Sequence, residues 1–347
     1  MPSILIMAGG TGERFWPASS AVHPKQYLPL TGRQPMILET VYRVIDLVGP
    51  ENIYVITTKA QLSKAQETLS VLPAVNILAE PEGRNTAPCL ILSVSHIKRK
   101  RGKNEVLAVL PADHFIRDNG KFRESLALAF ANAAIREEII TFGIKPDRPE
   151  TGYGYIAIGP EVANGIYRGL KFVEKPDSLT AGHYVKSGGY LWNSGMFIFQ
   201  IKTFIKMLKK YSPQLHQGFL ELEKAKNGES IAAIYSSLPK TSIDYGLMEK
   251  LPSFSVIPGA YGWDDLGTWR SLETTCPKDI NGNIIYGKGE LIDVSNSIIH
   301  SSGKLIAVIG VKDLVIAESP EGILVCSKDR VQEVKHIAEK LKTIKEE

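Results

Sequence analysis

The chain predicts an α/β fold with a mostly parallel sheet, followed by a small all-β unit. Three observations predict it. Short apolar runs alternate with amphipathic stretches up to about Trp269, the pattern of buried strands covered by helices on both faces. A glycine-rich turn follows directly on the first apolar run. Beyond Trp269 short strands broken by Gly, Asn, Asp and Ser take over, with no helix-period segment between them.

The elements follow in order. Ile4-Leu5-Ile6-Met7 reads as the first strand, and Ala8-Gly9-Gly10-Thr11-Gly12-Glu13-Arg14 as its turn. Residues 52–57 and 106–110 read as further buried strands, the second running into Pro111-Ala112-Asp113-His114. Amphipathic helical stretches are expected over 59–69 and 120–134, and Ile139-Ile140-Thr141-Phe142 as another strand. Five short strands are expected at 291–293, 297–299, 305–308, 314–316 and 323–325, as a few turns of β-solenoid too irregular to show a period. A final amphipathic helix would carry Val331, Val334, Ile337, Ala338 and Leu341 on one stripe. The boundary falls near Cys276-Pro277, giving domains over 1–275 and 276–347.

Bulk composition excludes several classes. The 347 residues are 44% hydrophobic and 22% charged, enough to bury a large core plus a smaller unit. The net charge of +4 is close to balance and predicts neither nucleic acid nor an acidic membrane surface as partner. No apolar run is long enough to span a bilayer. Met1-Pro2-Ser3 leads straight into a strand without a leader pattern, so a cytoplasmic location is expected. Cys89, Cys276 and Cys326 are scattered and form neither a disulfide framework nor a zinc pattern.

Several segments can carry chemistry. Glycines without Cβ let backbone N–H groups converge on an anion, and Arg14 and Lys25 add charge to the same cradle. The turn lacks the Gly-Lys-Ser/Thr ending of a P-loop and the spacing of a dinucleotide fingerprint. Asp113 is either a helix cap or a metal ligand. In Trp263-Asp264-Asp265-Leu266-Gly267, adjacent side chains on a strand point to opposite faces, so one aspartate faces a metal. Glu174-Lys175 is either a surface pair or part of a site. The segment Trp192-Asn193-Ser194-Gly195 suits either a sugar or a buried turn with a satisfied amide.

Taken in order these segments resemble the sugar-phosphate nucleotidyltransferases. The segments are 9–17 with Pro24-Lys25-Gln26, then Glu82-Gly83-Arg84-Asn85-Thr86-Ala87-Pro88, Pro111-Ala112-Asp113-His114, Glu174-Lys175-Pro176, 192–197, Ser242-Ile243-Asp244-Tyr245-Gly246 and 263–267. Trp16-Pro17 and Lys25-Gln26 resemble the mannose-1-phosphate guanylyltransferase branch. The resemblance implies a Rossmann-like catalytic domain with a small C-terminal left-handed β-helix, and GMP transfer from GTP to mannose 1-phosphate. It implies Mg²⁺ on Asp113 and Asp265, and phosphate contacts from Arg14, Lys25 and Lys175. Ala8, Gly9, Gly10, Thr11, Gly12, Asn85, Thr86 and Pro111 would bind the nucleotide. Gly152, Glu174, Lys175 and Asn193 would bind the sugar phosphate. Glu80 is open between a guanine acceptor and an ordinary surface role. A homodimer is expected, and no isomerase activity, because the cupin-like domain of longer relatives has no counterpart here. Two rivals stand beside this reading: the same chemistry on another nucleotide and sugar phosphate, and a silent subunit that senses nucleotide sugars.

Overall fold

A computed structural model describes residues 1–10, 12–20 and 22–346, with the side chains beyond Leu341 left aside. Ser3–Ala8 forms β1, Ile53–Thr58 β2, Ile77–Glu80 β3 and Val106–Pro111 β4. These four pair in parallel in the order β3-β2-β1-β4. β1, β2 and β4 are apolar runs with almost every side chain buried, as strands sandwiched between helices must be, whereas the edge strand β3 is half-buried and ends in Glu80. β2 and β3 build outward on one side of β1, whereas β4 lies on its other side. The strand order therefore reverses between β1 and β4. Open α/β sheets bind ligands beyond the carboxyl ends of such a pair, here Ala8 and Pro111.

Past β4 the sheet becomes mixed, so the expectation of a mostly parallel sheet holds only for its first part. Ile140–Ile144 is β5, Tyr155–Ala163 β6, Ile166–Val173 β7, Tyr190–Gln200 β8 and Phe254–Gly259 β9. The full order is β3-β2-β1-β4-β8-β5-β9-β7-β6, with β8 antiparallel to both β4 and β5. Only β5 and β9 restore a parallel pair. Helix α1, Thr86–Arg101, starts at Asn85, whose carboxamide accepts from Thr86 N at 2.8 Å. Helix α2, Asn119–Ile135, is capped by Asp118, which accepts from Lys121 N at 3.0 Å. The cap following β4 is thus Asp118, and the capping reading of Asp113 falls away. The core of this layer gathers Leu5, Tyr54, Leu107, Phe199, Phe204 and Phe219 among others.

The tail forms the β-helix. Ile284–Tyr286 is β10, Gly289–Ile292 β11, Ile298–Ser301 β12, Ile306–Ile309 β13, Leu314–Ser319 β14 and Gly322–Ser327 β15. β10, β12 and β14 stack in parallel, β15 closes that sheet antiparallel, and β11 pairs in parallel with β13. Ile284 sits opposite Ile298 and Ile298 opposite Val315, steps of 14 and 17 residues. Unequal steps explain why no period is visible in the sequence. The terminal helix α3, Val334–Glu346, buries Val334 and Ala338, but Ile337 is 44% exposed and leaves the predicted stripe.

Contacts divide the chain into two units that are discontinuous in sequence. The first holds residues 1–9, 41–111 and 118–263; the second holds 10–40, 112–117 and 264–347. The first strand of the β-helix begins at Ile284, and the second unit takes in the glycine turn and everything from residue 264 onward. Its core explains this: Phe15, Leu30 and Met36 pack with Trp269, Ile298, Val315, Val331 and Val334. The Phe15 and Trp269 rings lie 5.1 Å apart, and the Trp269 indole N–H donates to Trp16 O at 3.2 Å.

Candidate active site

Within the second unit, the glycine turn opens onto a recess of about 340 Å³, a volume fit for a phosphate chain and its counter-ion. Gly12, Glu13, Arg14, Lys25, Asp113 and Asp265 line it, with His114 and Lys335. Gly12 has φ +67°, and a Cβ there would lie 2.3 Å from Lys25 Cβ. Only glycine lets the Lys25 backbone come so near. Gly10 behaves otherwise: a Cβ there would meet no atom within 4 Å, so the protein's own packing does not demand it. Thr11, the remaining turn residue expected to bind nucleotide, lies outside the described residues.

Lys25 is 5% exposed and binds the two expected metal ligands together. Its Nζ donates to Asp113 Oδ2 at 2.9 Å and to Asp265 O at 2.7 Å. Both aspartates are therefore within reach of one ammonium group. Burial alone would raise the Asp113 carboxyl, but the charges of Lys25 and His114 and the Lys25 hydrogen bond outweigh it and hold it low. The adjacent aspartates divide as strand alternation predicts. Asp264 is 7% exposed and accepts from Leu266 N at 2.7 Å, closing a turn in which Leu266 adopts φ +48°. That turn presents Asp265 to the recess. A Cβ on Gly267 would come within 3.1 Å of Asp265 Oδ1, so glycine leaves the carboxylate its place. Two carboxylates with open positions are the donor set of Mg²⁺, which keeps water and phosphate oxygens as its other ligands. Among the described residues no cluster of three or more His, Cys, Asp or Glu offers a closed metal cage.

In the first unit, Ala8 ends β1, Gly9 follows it, and Pro111 ends β4. The Ala8 carbonyl accepts from Thr57 Oγ1 at 3.0 Å. A Cβ on Gly9 would come within 3.0 Å of Glu80 Oε1. Glu80 is 4% exposed and its other oxygen accepts from Tyr235 Oη at 2.6 Å, so the surface role is excluded. Burial pushes its carboxyl up, and the tyrosine bond partly offsets this. Thr86 supports a neighbouring segment: its hydroxyl accepts from Ile243 N at 2.9 Å.

That segment carries Asp244, a residue to which the sequence alone assigns no role. Asp244 Oδ1 accepts from Asn193 Nδ2 at 3.1 Å, while Asn193 Oδ1 accepts from Gly195 N at 3.1 Å. The Asn193 amide is held at both ends. Lys175 pairs with Glu174, whose Oε2 is buried and finds no hydrogen-bond partner among the described residues. An orphaned carboxylate oxygen calls for a donor such as a hydroxyl. Burial opposes the Lys175 charge, but the Glu174 hydrogen bond and the charges of Glu174 and Asp244 keep its pKa raised. Gly152 is exposed, and the glycine that matters sterically is Gly154, where a Cβ would fall 2.4 Å from Glu174 Oε2.

Burial, then repulsion by Glu174, lifts Asp244 to about 6. A folded-state pKa above the unfolded value favours the protonated native state, so this group's contribution to stability declines as pH rises from about 4 to 6. We expect Asp244→Asn to be more stable than wild type at pH 7 by up to ~2 kcal/mol and equal to it near pH 4. Urea unfolding at the two pH values checks this, and an unchanged difference between them would contradict it.

The nucleotidyl transferase model matches residues 3–282, most of the chain. The chain belongs to the nucleotidyl transferase family. A second model, the MannoseP isomerase/GMP-like beta-helix domain, matches residues 287–341 of this nucleotidyltransferase. It is 39% identical over 346 residues to the alginate biosynthesis protein AlgA of Pseudomonas aeruginosa, covering 97% of this chain and 71% of that protein. It is 38% identical over 348 residues to a mannose-1-phosphate guanylyltransferase of Escherichia coli, covering 97% and 73%. A crystal structure from Thermus thermophilus, described as a mannose-1-phosphate geranyltransferase, superposes with a TM-score of 0.91 at 34% identity, covering 98% of this chain and 99% of that one. Among the described residues of this nucleotidyltransferase, no helix is long and apolar enough to cross a membrane.

Proposed function

We propose that the nucleotidyltransferase moves GMP from GTP to mannose 1-phosphate, releasing pyrophosphate. The carrying observation is that Asp113 and Asp265 line one recess with Gly12, Arg14 and Lys25. A sugar-phosphate oxygen attacks the α-phosphorus, the bond from that phosphorus to the bridging oxygen breaks, and pyrophosphate leaves with its electron pair. No covalent enzyme intermediate is required, because nucleotidyl transfer depends on positioning and charge stabilisation. Arg14 and Lys25 hold phosphate oxygens. Asp113 and Asp265 hold Mg²⁺, which when bound withdraws charge from phosphate oxygens. Ala8, Gly9, Gly10, Asn85, Thr86 and Pro111 bind the nucleoside, with Glu80 available to guanine N–H groups. Glu174 and Asn193 receive mannose hydroxyls, and Lys175 neutralises the sugar phosphate. A wall of charged side chains is a poor receiver for the apolar geranyl group named for the Thermus protein.

The deciding experiment measures pyrophosphate release across GTP, ATP, UTP and dTTP, each with mannose 1-phosphate or glucose 1-phosphate. Turnover is expected with GTP and mannose 1-phosphate. A preference for glucose 1-phosphate with UTP or dTTP would favour the rival pair, and silence throughout would favour a sensing subunit. In the active pair, Lys175→Ala should raise KM for mannose 1-phosphate about tenfold or more, the scale of one charge-assisted contact. An unchanged specificity constant for that substrate would reject the role. We further propose a homodimer in the cytoplasm. Exposed Ile292 and Ile309, paired across β11 and β13, and exposed Ile323 and Val325 on β15 support the dimer. A monomeric mass by sedimentation would oppose it.

A further inference from the structure

Among the described residues, Lys335 is the one lining the recess that comes from the far end of the chain. It lies near the start of α3, on the wall of the recess that Arg14, Asp113 and Asp265 also line. Its place is fixed by packing. Val331, Val334 and Ala338 are all nearly buried, and Val331 and Val334 share a core with Phe15 of the glycine turn. The residue after Val334 therefore projects beside the turn that carries Arg14, and only movement of that whole core would relocate it.

The charges give this placement a use. Two of the three Lys25 N–H donors go to Asp113 and the Asp265 carbonyl, which leaves that ammonium one donor for phosphate. Across the lining residues the positive charges of Arg14, Lys25 and Lys335 balance the negative charges of Glu13, Asp113 and Asp265. Lys335 thus supplies one of the three positive side chains that a phosphate chain would meet there, beside any cation held by the aspartates. Lys335 itself makes an exposed pair with Glu339, at 3.3 Å one helical turn away. Such a pair is weak and easily exchanged for a phosphate oxygen.

We propose that Lys335 binds the leaving pyrophosphate, that is, the β- and γ-phosphates of the nucleotide. The β-helix tail thereby supplies a substrate contact through its terminal helix. This rests on the transfer reaction proposed above. The test compares the full-length wild type with Lys335→Ala, Lys335→Arg and, as a control on the same helix, Lys340→Ala. Calorimetric titration with inorganic pyrophosphate in magnesium buffer should show affinity about tenfold weaker in Lys335→Ala, restored by Lys335→Arg and unaltered in Lys340→Ala. The KM for GTP should rise in parallel while that for mannose 1-phosphate stays unchanged. Melting temperatures equal to wild type would show that the fold is kept; if Lys335→Ala is less stable, the Lys335→Arg comparison still reads the charge. Equal pyrophosphate affinity in wild type and Lys335→Ala, or no measurable affinity in wild type, overturns the inference. Weakened pyrophosphate binding in a protein that makes no product from GTP and mannose 1-phosphate would uphold it and overturn the reaction instead.

Discussion

Asp265→Asn should lower kcat by about a thousandfold or more, the scale of removing a main electrostatic contact to a reacting group, while leaving stability within ~0.5 kcal/mol of wild type. The Asp265 side chain lines the recess, and its contribution to holding Lys25 is made by the backbone carbonyl, which the substitution keeps. Asp264→Ala, one residue away, should do the reverse. Its carboxylate closes the turn onto Leu266 N at 2.7 Å and sits 3.4 Å from Thr274 Oγ1, so its loss should cost about 1–3 kcal/mol of stability through stranded polar groups. Chemical denaturation and single-turnover kinetics on the two variants separate these outcomes. Wild-type turnover by Asp265→Asn at saturating magnesium would remove that residue from the metal site.

Lys25→Ala should damage both properties at once. Lys25 is 5% exposed, and its ammonium lies 5.9 Å from the Phe15 ring centroid and bridges the loops that carry Asp113 and Asp265. Its removal takes from Asp113 its 2.9 Å ion-pair partner and leaves the charged lining of the recess one unit more negative. We expect a loss of about 1–3 kcal/mol in stability, below the value for a fully buried pair because the Asp113 side chain is 31% exposed. We expect kcat/KM to fall at least about a hundredfold, since a phosphate contact and the aspartate geometry go together. Urea unfolding and initial rates measure the two losses. A variant that lost stability but kept its specificity constant would show Lys25 to be structural only.

Much of this site was legible in the chain because its parts follow strand ends. Asp113 comes two residues after β4, and the glycine turn begins where β1 stops. Apolar runs identify such strands without any knowledge of their neighbours. The split between Asp264 and Asp265 followed from strand alternation and a local turn. The sequence alone assigns no role to Asp244, His114 or Lys335. Nothing local distinguishes Lys335 from the other lysines on its helix, and Asp244 gains meaning only from Asn193 and Glu174, far away in sequence. The antiparallel entry of β8 between β4 and β5 was likewise invisible, since a buried strand reads the same in either direction.

The sequence by itself determined the first strand with its glycine turn, the buried strands at 52–57 and 106–110, the tail of short strands and the family, because period, glycine placement and ordered motifs are local properties. Tertiary structure alone decided the partnership of ends that are distant in the chain. Phe15 and Val334 belong to one core, so the opening turn and the closing helix form one unit around one recess. The reason is physical: hydrophobic burial has no sequence address, and which apolar faces meet is settled only when the whole chain has packed.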